Sequence, residues 1–211
     1  MKMRDPIDRF HGMKGGGHMI RILFVCTGNT CRSPIAEAML KHMAEERGLE
    51  IHVQSAGVAA WDGTPMSQHA STVLEEQNIA NHRDFRSAAL DEDRVHWADL
   101  ILTLTTSHKR HVLQQFPGAT SKTFALKEYV SNPDSEQEQY QQLQSLAADL
   151  QLKLAMGQAP TEDELVQLAE LQRLMPNQDV GDPYGGSLEQ YRMTAAEIQA
   201  ALTRLLDKLQ P

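Results

Sequence analysis

The 211-residue sequence contains few cysteines, no long apolar run and fewer basic than acidic residues. Its two thiols cannot form the disulfide framework of a small secreted protein, and they are typical of a reducing compartment such as the cytoplasm. Because no apolar run approaches the ~18 residues of a membrane helix, we expect no membrane association. The 20 Lys and Arg residues face 28 Asp and Glu residues, for a formal charge of −8. No basic cluster marks a nucleic-acid footprint, so nucleic acid is not an expected partner.

Two nucleotide-binding patterns, G-x-x-x-x-G-K-[ST] and G-x-G-x-x-G, are missing as well. Instead, Cys26 and Arg32 delimit a short glycine-bearing loop. The β-branched, apolar residues 20–25 predict a buried strand before it, and residues 35–45, with Pro34 near the first turn, predict a helix after it. Backbone N–H groups converge on an anion in this geometry. The pattern therefore predicts a phosphate-binding loop whose other members are Thr27, Gly28, Asn29, Thr30, Cys31 and Ser33.

The residue types in this loop suit nucleophilic chemistry on phosphorus. A helix N-terminus and the Arg32 guanidinium both stabilise a thiolate at Cys26, and the guanidinium fork fits two phosphate oxygens. Ser33 can donate a hydrogen bond to the sulfur, and Gly28 permits a positive φ. A structural cysteine beside a helix cap is the alternative for an isolated C-x5-R spacing.

Strand-like and helix-like segments alternate along the rest of the chain. Strands are predicted at 51–56, 100–104 and 122–126, and helices at about 66–76, 91–98, 105–116 and 187–209. Right-handed crossovers between such strands predict an α/β fold, a four-stranded parallel sheet with helices on both faces. Ligands of such sheets bind at the carboxyl ends of the strands, where Cys26 is expected.

Two segments differ from this pattern. Residues 1–18 are glycine-rich and charged, and the join Gly17-His18-Met19 resembles an expression-vector remnant, so we expect a disordered leader before a domain at 19–211. A natural disordered arm is the alternative. Residues 131–178 predict a helical-hairpin insertion with a turn at Gly157 and Pro160, eight acidic residues and two basic ones. A lid, a surface for a partner or self-association, and a solvated hairpin all fit this segment.

The quoted loop, C-x5-R-S-P, resembles the signature of the low-molecular-weight protein tyrosine phosphatase family. Matching stretches are Ser55-Ala56-Gly57, Lys127-Glu128-Tyr129 and Asp182-Pro183-Tyr184-Gly185-Gly186-Ser187. Two details, Thr30 and the single aromatic residue Tyr184 in the last stretch, resemble the protein arginine phosphatase branch. The resemblance implies the sheet order 2-1-3-4, a cytoplasmic enzyme acting on phosphorylated proteins, and neither metal nor cofactor.

The resemblance also implies roles for individual residues. Cys26 attacks phosphorus, Arg32 and the loop amides bind the phosphoryl group, and Asp182 serves as general acid and then general base. Thr30, together with Tyr184, selects phosphoarginine over phosphotyrosine. By the same resemblance, Cys31 is the redox partner of the nucleophile. Ser55 and His82, together with Asn29, are implied to support the loop through hydrogen bonds.

Several alternatives stay open on the sequence. A tyrosine phosphatase of the same fold differs only in its substrate, and a phosphate-loop binding module would dock a partner without turnover. A related arsenate reductase would need further cysteines for its relay. His108 and His111 lie three residues apart, but no carboxylate or cysteine accompanies them, so a solvated helix face is favoured over a metal site.

Overall fold

The structure is a computed structural model that describes residues 19–131, 133–174 and 177–210. The predicted leader, residues 1–18, lies outside the described residues. The chain divides into two compact units: one combines the chain up to Val130 with the chain from Gln178, and the other is Ser131–Asn177.

The first unit contains one parallel sheet of four strands. They are β1 (Ile20–Cys26), β2 (Ile51–Gly57), β3 (Leu100–Thr103) and β4 (Thr123–Ala125), in the order β2-β1-β3-β4. The predicted sheet order is thereby confirmed. Cys26 is in register with Gly57, and its neighbour Val25 is in register with Thr103. The carboxyl ends of the three strands therefore meet at one edge of the sheet.

Helices follow the strands as the sequence predicts. In the first unit they are α1 (Arg32–Glu46), α2 (Gln68–Glu76), α3 (Glu92–Trp97), α4 (Thr106–Gln115), a 3-10 helix (Pro117–Lys122), α5 (Leu126–Val130) and α8 (Leu188–Leu209). The side chain of Ser187 caps α8 in a capping box with Gln190. The fourth strand is shorter than predicted because Leu126 already begins α5.

Both faces of β1 are covered, which explains its uninterrupted apolar run. Ile22 and Phe24 belong to a core cluster shared with α1, α2, α5 and α8, whereas Leu23 and Val25 belong to a second cluster shared with α3 and α4. All four side chains are fully buried. This packing holds the end of β1, and with it Cys26, in a fixed position.

The second unit consists of α6 (Pro133–Ala155) and α7 (Glu162–Leu174), which pack on each other. Gly157, with a φ of 75°, lies in the connection. Leu150 and Leu171 are buried, whereas Leu154 and Leu165 are more than half exposed. Among the described residues of the whole chain, no helix is long and apolar enough to cross a membrane.

Candidate active site

Cys26 ends β1 and is almost fully buried, with 3% of its surface exposed. Its Sγ lies 2.9 Å from Oγ of Ser33, and the backbone N–H of Asn29 donates to it over 3.3 Å. The sulfur thus contacts one hydroxyl and one backbone amide of the loop. The predicted arrangement of strand, loop and helix N-terminus is therefore present around this thiol.

Asn29 joins the loop to the structure around it. It is fully buried with a φ of 53°, a conformation that asparagine tolerates better than most residues. Its Nδ2 donates to Ser33 Oγ (2.9 Å) and Ser55 Oγ (2.8 Å), and its Oδ1 accepts the N–H of Ala88 (2.8 Å). Ser33 Oγ also donates to the Ala56 carbonyl over 3.5 Å, and in its 2.9 Å contact with Cys26 Sγ either atom can be the donor.

Of the two residues predicted to support the loop, Ser55 and His82, only Ser55 contacts it in the structure. Ser55 belongs to the network and donates to Glu37 on α1 over 2.6 Å. His82 does not, because Ser71 Oγ and the Ile79 carbonyl, at 2.9 and 2.8 Å, occupy its two ring nitrogens. Glu37 completes the network instead.

Gly57 shows why the matching Ser-Ala-Gly stretch ends in glycine. A Cβ at this position would lie 2.4 Å from the Thr27 carbonyl oxygen and 2.9 Å from the Asn29 nitrogen. The loop can therefore lie against the end of β2 only where the side chain is absent.

Arg32 and Asp182 are 150 residues apart in sequence and form an ion pair, with Nη2 of the arginine 2.8 Å from Oδ2 of the aspartate. The arginine side chain is buried, whereas 55% of the aspartate side chain is exposed. The Asp182 loop is attached beside the sheet, since Val180 N–H donates to the Leu104 carbonyl over 2.9 Å. The N–H of Tyr184 donates to the second oxygen of Asp182 over 3.1 Å.

These groups share one cleft of about 300 Å³. Its lining consists of Cys26, Thr27, Gly28, Thr30, Cys31, Arg32, Ala59, Trp61, Thr64, Asp182 and Tyr184. Trp61 and Tyr184 are 84% and 80% exposed. The cleft thus combines a buried thiol and guanidinium with two exposed aromatic side chains and the Thr30 hydroxyl.

Cys31 has its own set of contacts. Its Sγ lies 3.1 Å from the Tyr191 hydroxyl and 3.5 Å from Ser67 Oγ, and both cysteines are free thiols. Burial, followed by the hydrogen bond to Cys31, raises the pKa of Tyr191 to about 12. Tyr191 is therefore neutral at physiological pH. The redox pairing of Cys31 with Cys26 stays a prediction.

His108 is the site residue that the sequence analysis missed, because the prediction of a solvated helix face is wrong for it. It is buried at the start of α4, while His111 is exposed. Its Nε2 lies 2.8 Å from Thr27 Oγ1 and its Nδ1 lies 2.8 Å from Thr105 Oγ1. Burial first, and the positive charge of Arg32 second, lower the pKa of His108 to about 4. Its place three residues after a threonine N-cap, at the carboxyl end of β3, was the available signal.

In the part of the chain that the structure describes, no group of three or more His, Cys, Asp or Glu side chains is arranged to hold a metal ion.

Comparison with known proteins gives one family. Residues 21–142 match the family described as low molecular weight phosphotyrosine protein phosphatase. A protein-arginine-phosphatase of Geobacillus stearothermophilus is 36% identical over 191 residues, covering 90% of this chain and 96% of the relative. The protein-arginine-phosphatase of Bacillus subtilis is 35% identical over 189 residues, covering 89% and 95%. The low molecular weight protein-tyrosine-phosphatase PtpB of Staphylococcus aureus is also 35% identical, covering 89% and 98%.

Solved structures agree with this assignment. The YwlE arginine phosphatase from Geobacillus stearothermophilus superposes with a TM-score of 0.64 at 35% identity, covering 90% of this chain and 93% of the other. A cysteine-to-serine mutant of the YwlE arginine phosphatase, with a phosphorylated active-site serine, superposes with a TM-score of 0.66 at 34% identity, covering 90% and 96%.

Proposed function

Since the chain belongs to the low molecular weight phosphotyrosine protein phosphatase family, we propose that it hydrolyses phosphoarginine in phosphorylated proteins. It is a cysteine-dependent protein phosphatase. The observation that carries the proposal is the convergence of three groups on one cleft: the Cys26 thiol, the Arg32 guanidinium and the Asp182 carboxylate. Relatives named protein-arginine-phosphatase supply the substrate class.

The first step is attack of the Cys26 thiolate on phosphorus. The P–N bond breaks, and Asp182 in its acid form protonates the departing guanidino nitrogen. Arg32 and the loop amides bind the phosphoryl oxygens as charge develops on them. In the absence of substrate Asp182 pairs with Arg32 at 2.8 Å; the incoming phosphate displaces it from the guanidinium, and the freed carboxylate takes a proton from solvent and lies beside the leaving group as the acid.

The second step is hydrolysis of the phosphocysteine. Asp182, now a carboxylate, takes a proton from the attacking water, and the sulfur departs as a thiolate. Ser33 Oγ lies 2.9 Å from that sulfur and can donate to the thiolate, while Asn29 Nδ2 donates to the same oxygen and holds it in place. The phosphorylated active-site serine in the cysteine-to-serine mutant of a relative supports the assignment of the nucleophile.

Thr30 and Asp182 support phosphoarginine as the substrate. A guanidinium presents N–H donors, which a hydroxyl and a carboxylate can accept. An aryl group presents none, and polar groups left unpaired in a pocket are an effective means of rejection. The exposed rings of Trp61 and Tyr184 can stack on the planar guanidinium.

A tyrosine phosphatase is the second candidate. The same two exposed aromatic rings suit an aryl group, and the relative from Staphylococcus aureus named as a protein-tyrosine-phosphatase has the same identity to this chain, 35%, as the arginine phosphatase of Bacillus subtilis.

Release of phosphate from a phosphoarginine protein tests the proposal. We expect turnover by the native chain, loss of turnover in Cys26→Ser with an unchanged unfolding curve, and retained turnover in Cys31→Ser under reducing conditions. Binding of the phosphoprotein without phosphate release would identify a binding module, and a higher kcat/KM for phosphotyrosine would identify a tyrosine phosphatase.

We also propose that the enzyme acts in the cytoplasm, and that Ser131–Asn177 takes part in recognising protein substrates or partners. Deleting residues 134–177 tests the second point. Hydrolysis of a small phosphoester should persist while turnover of a phosphorylated protein falls. Unchanged rates on both substrates would contradict a role in recognition.

A further inference from the structure

A line of three side chains runs from the end of β3 to the phosphate-binding loop. Thr105 Oγ1 lies 2.8 Å from Nδ1 of His108, and Nε2 of the same ring lies 2.8 Å from Thr27 Oγ1. Thr105 and His108 are buried, whereas Thr27 lines the cleft and is exposed. The line thus ends on a residue that lines the cleft.

These hydrogen bonds can run in either direction, and the capping contact of Thr105 favours one of the two. Thr105 caps α4, and its Oγ1 accepts the backbone N–H of His108 over 3.2 Å. Its own hydrogen is then available for Nδ1, the nearest acceptor in the line. A neutral imidazole carries one N–H, so when Nδ1 accepts, Nε2 must be the donor. In that arrangement Nε2 donates to Thr27 Oγ1.

The ring has to be neutral for this assignment to hold. Burial and the charge of Arg32 lower the pKa of His108 to about 4. The other charged and titratable groups that act on the ring are Asp182 and Asp179, which favour the charged form, and His111, which opposes it. The neutral form is dominant at physiological pH.

We propose that His108 is a positioning residue that, as its Nε2–H tautomer, donates to Thr27 Oγ1 and turns the Thr27 hydroxyl hydrogen toward a bound phosphoryl oxygen. The assignment rests on the proposed function, because it takes the anion of the cleft to be the phosphoryl group. It adds one side-chain donor to the loop amides and Arg32. Thr27 is the group that touches the substrate, and His108 acts through it.

The tautomer can be measured directly. In the full-length protein, the imidazole ¹⁵N spectrum at pH 7 should show a protonated Nε2 and an unprotonated Nδ1 for His108. The signals are identified by their loss in His108→Gln. A ring protonated at Nδ1 alone, or at both nitrogens, would overturn the proposal irrespective of catalysis.

Inhibition by inorganic phosphate tests the consequence. A hydrogen bond to a charged group is lost in Thr27→Val, so we expect a rise of about tenfold or more in the inhibition constant. His108→Leu should raise it by a smaller factor, and His108→Gln, whose amide places an N–H near the position of Nε2, should recover most of the loss. His111→Leu, on the exposed side of the same helix, should leave it unchanged.

A double-mutant cycle separates positioning from a general structural role. If His108 acts through the Thr27 hydroxyl, His108→Leu should have no further effect in the Thr27→Val background. Fully additive effects would contradict the proposal. These readouts are taken with a small aryl phosphate, so they stand whichever phosphoprotein is the substrate. If turnover survives Cys26→Ser, the proposed mechanism fails, whereas Cys26-dependent turnover with additive effects refutes the positioning role alone.

Discussion

Replacing Asn29 with alanine should destabilise the fold far more than one side chain usually does. The substitution removes three side-chain hydrogen bonds, to Ser33, Ser55 and the N–H of Ala88, within a fully buried site. Each bond contributes about 1 kcal/mol, and the Ala88 N–H left without its acceptor adds about 1 kcal/mol. The left-handed conformation costs alanine about 1 kcal/mol more. We expect a loss of about 4–5 kcal/mol, a large part of the usual stability of ~5–15 kcal/mol.

Asn78 provides the matched control. It has nearly the same conformation, with a φ of 60°, but its exposed side chain makes none of these bonds. Asn78→Ala should therefore lose only the conformational part, about 1 kcal/mol. The difference between the two variants isolates the network, because the backbone penalty is common to both.

Urea unfolding followed by tryptophan fluorescence measures this difference. The only two tryptophans, Trp61 and Trp97, lie in the unit that contains the loop, so the signal does not report on Ser131–Asn177. Equal losses in Asn29→Ala and Asn78→Ala would refute the network as a stabilising element. Since Ser33 would also lose its orientation toward Cys26, kcat should fall in Asn29→Ala and remain unchanged in Asn78→Ala.

Three other substitutions test the chemistry of the cleft. Asp182→Asn should slow formation of the phosphocysteine by about 10²–10⁴-fold, measured in a single-turnover experiment; an unchanged burst would remove this residue from the acid role. Thr30→Ile should lower the ratio of kcat/KM for phosphoarginine to that for phosphotyrosine by at least about tenfold, and a constant ratio would contradict its selective role. His108 has a pKa of about 4 in the folded chain against an ordinary 6.5, so the unfolded chain binds its proton first as the pH falls. The stability that His108 contributes is therefore fully present above pH 6.5 and is lost as the pH falls toward 4. We expect the native chain to lose about 2 kcal/mol of unfolding free energy relative to His108→Gln over this range, after allowance for solvent screening. If the free energies of unfolding of the two proteins change with pH in the same way across this range, the histidine is not buried in its neutral form.

Local sequence was sufficient for the phosphate-binding loop. The strand, the loop and the helix are contiguous from Ile20 to Glu46, and the positions of Cys26, Ser33 and Arg32 follow from that short path. The capping of α8 by Ser187 is local for the same reason. The resemblance to a known family supplied the sheet order, which the pattern of strands alone leaves open.

Tertiary structure alone decided which distant side chains reach the loop. His108 came into contact with Thr27, and Glu37 with Ser55, because β3 and α1 pack beside β1 and bring their ends to one edge of the sheet. His82 was expected in that network and bonds to Ser71 instead. A hydrogen bond depends on tenths of an ångström and on the direction of a ring, and both are set by the packing of elements far apart in the chain. The residue types and local periodicity of the sequence determine the elements and the chemistry they carry, whereas side-chain partners across elements exist only once the core has formed.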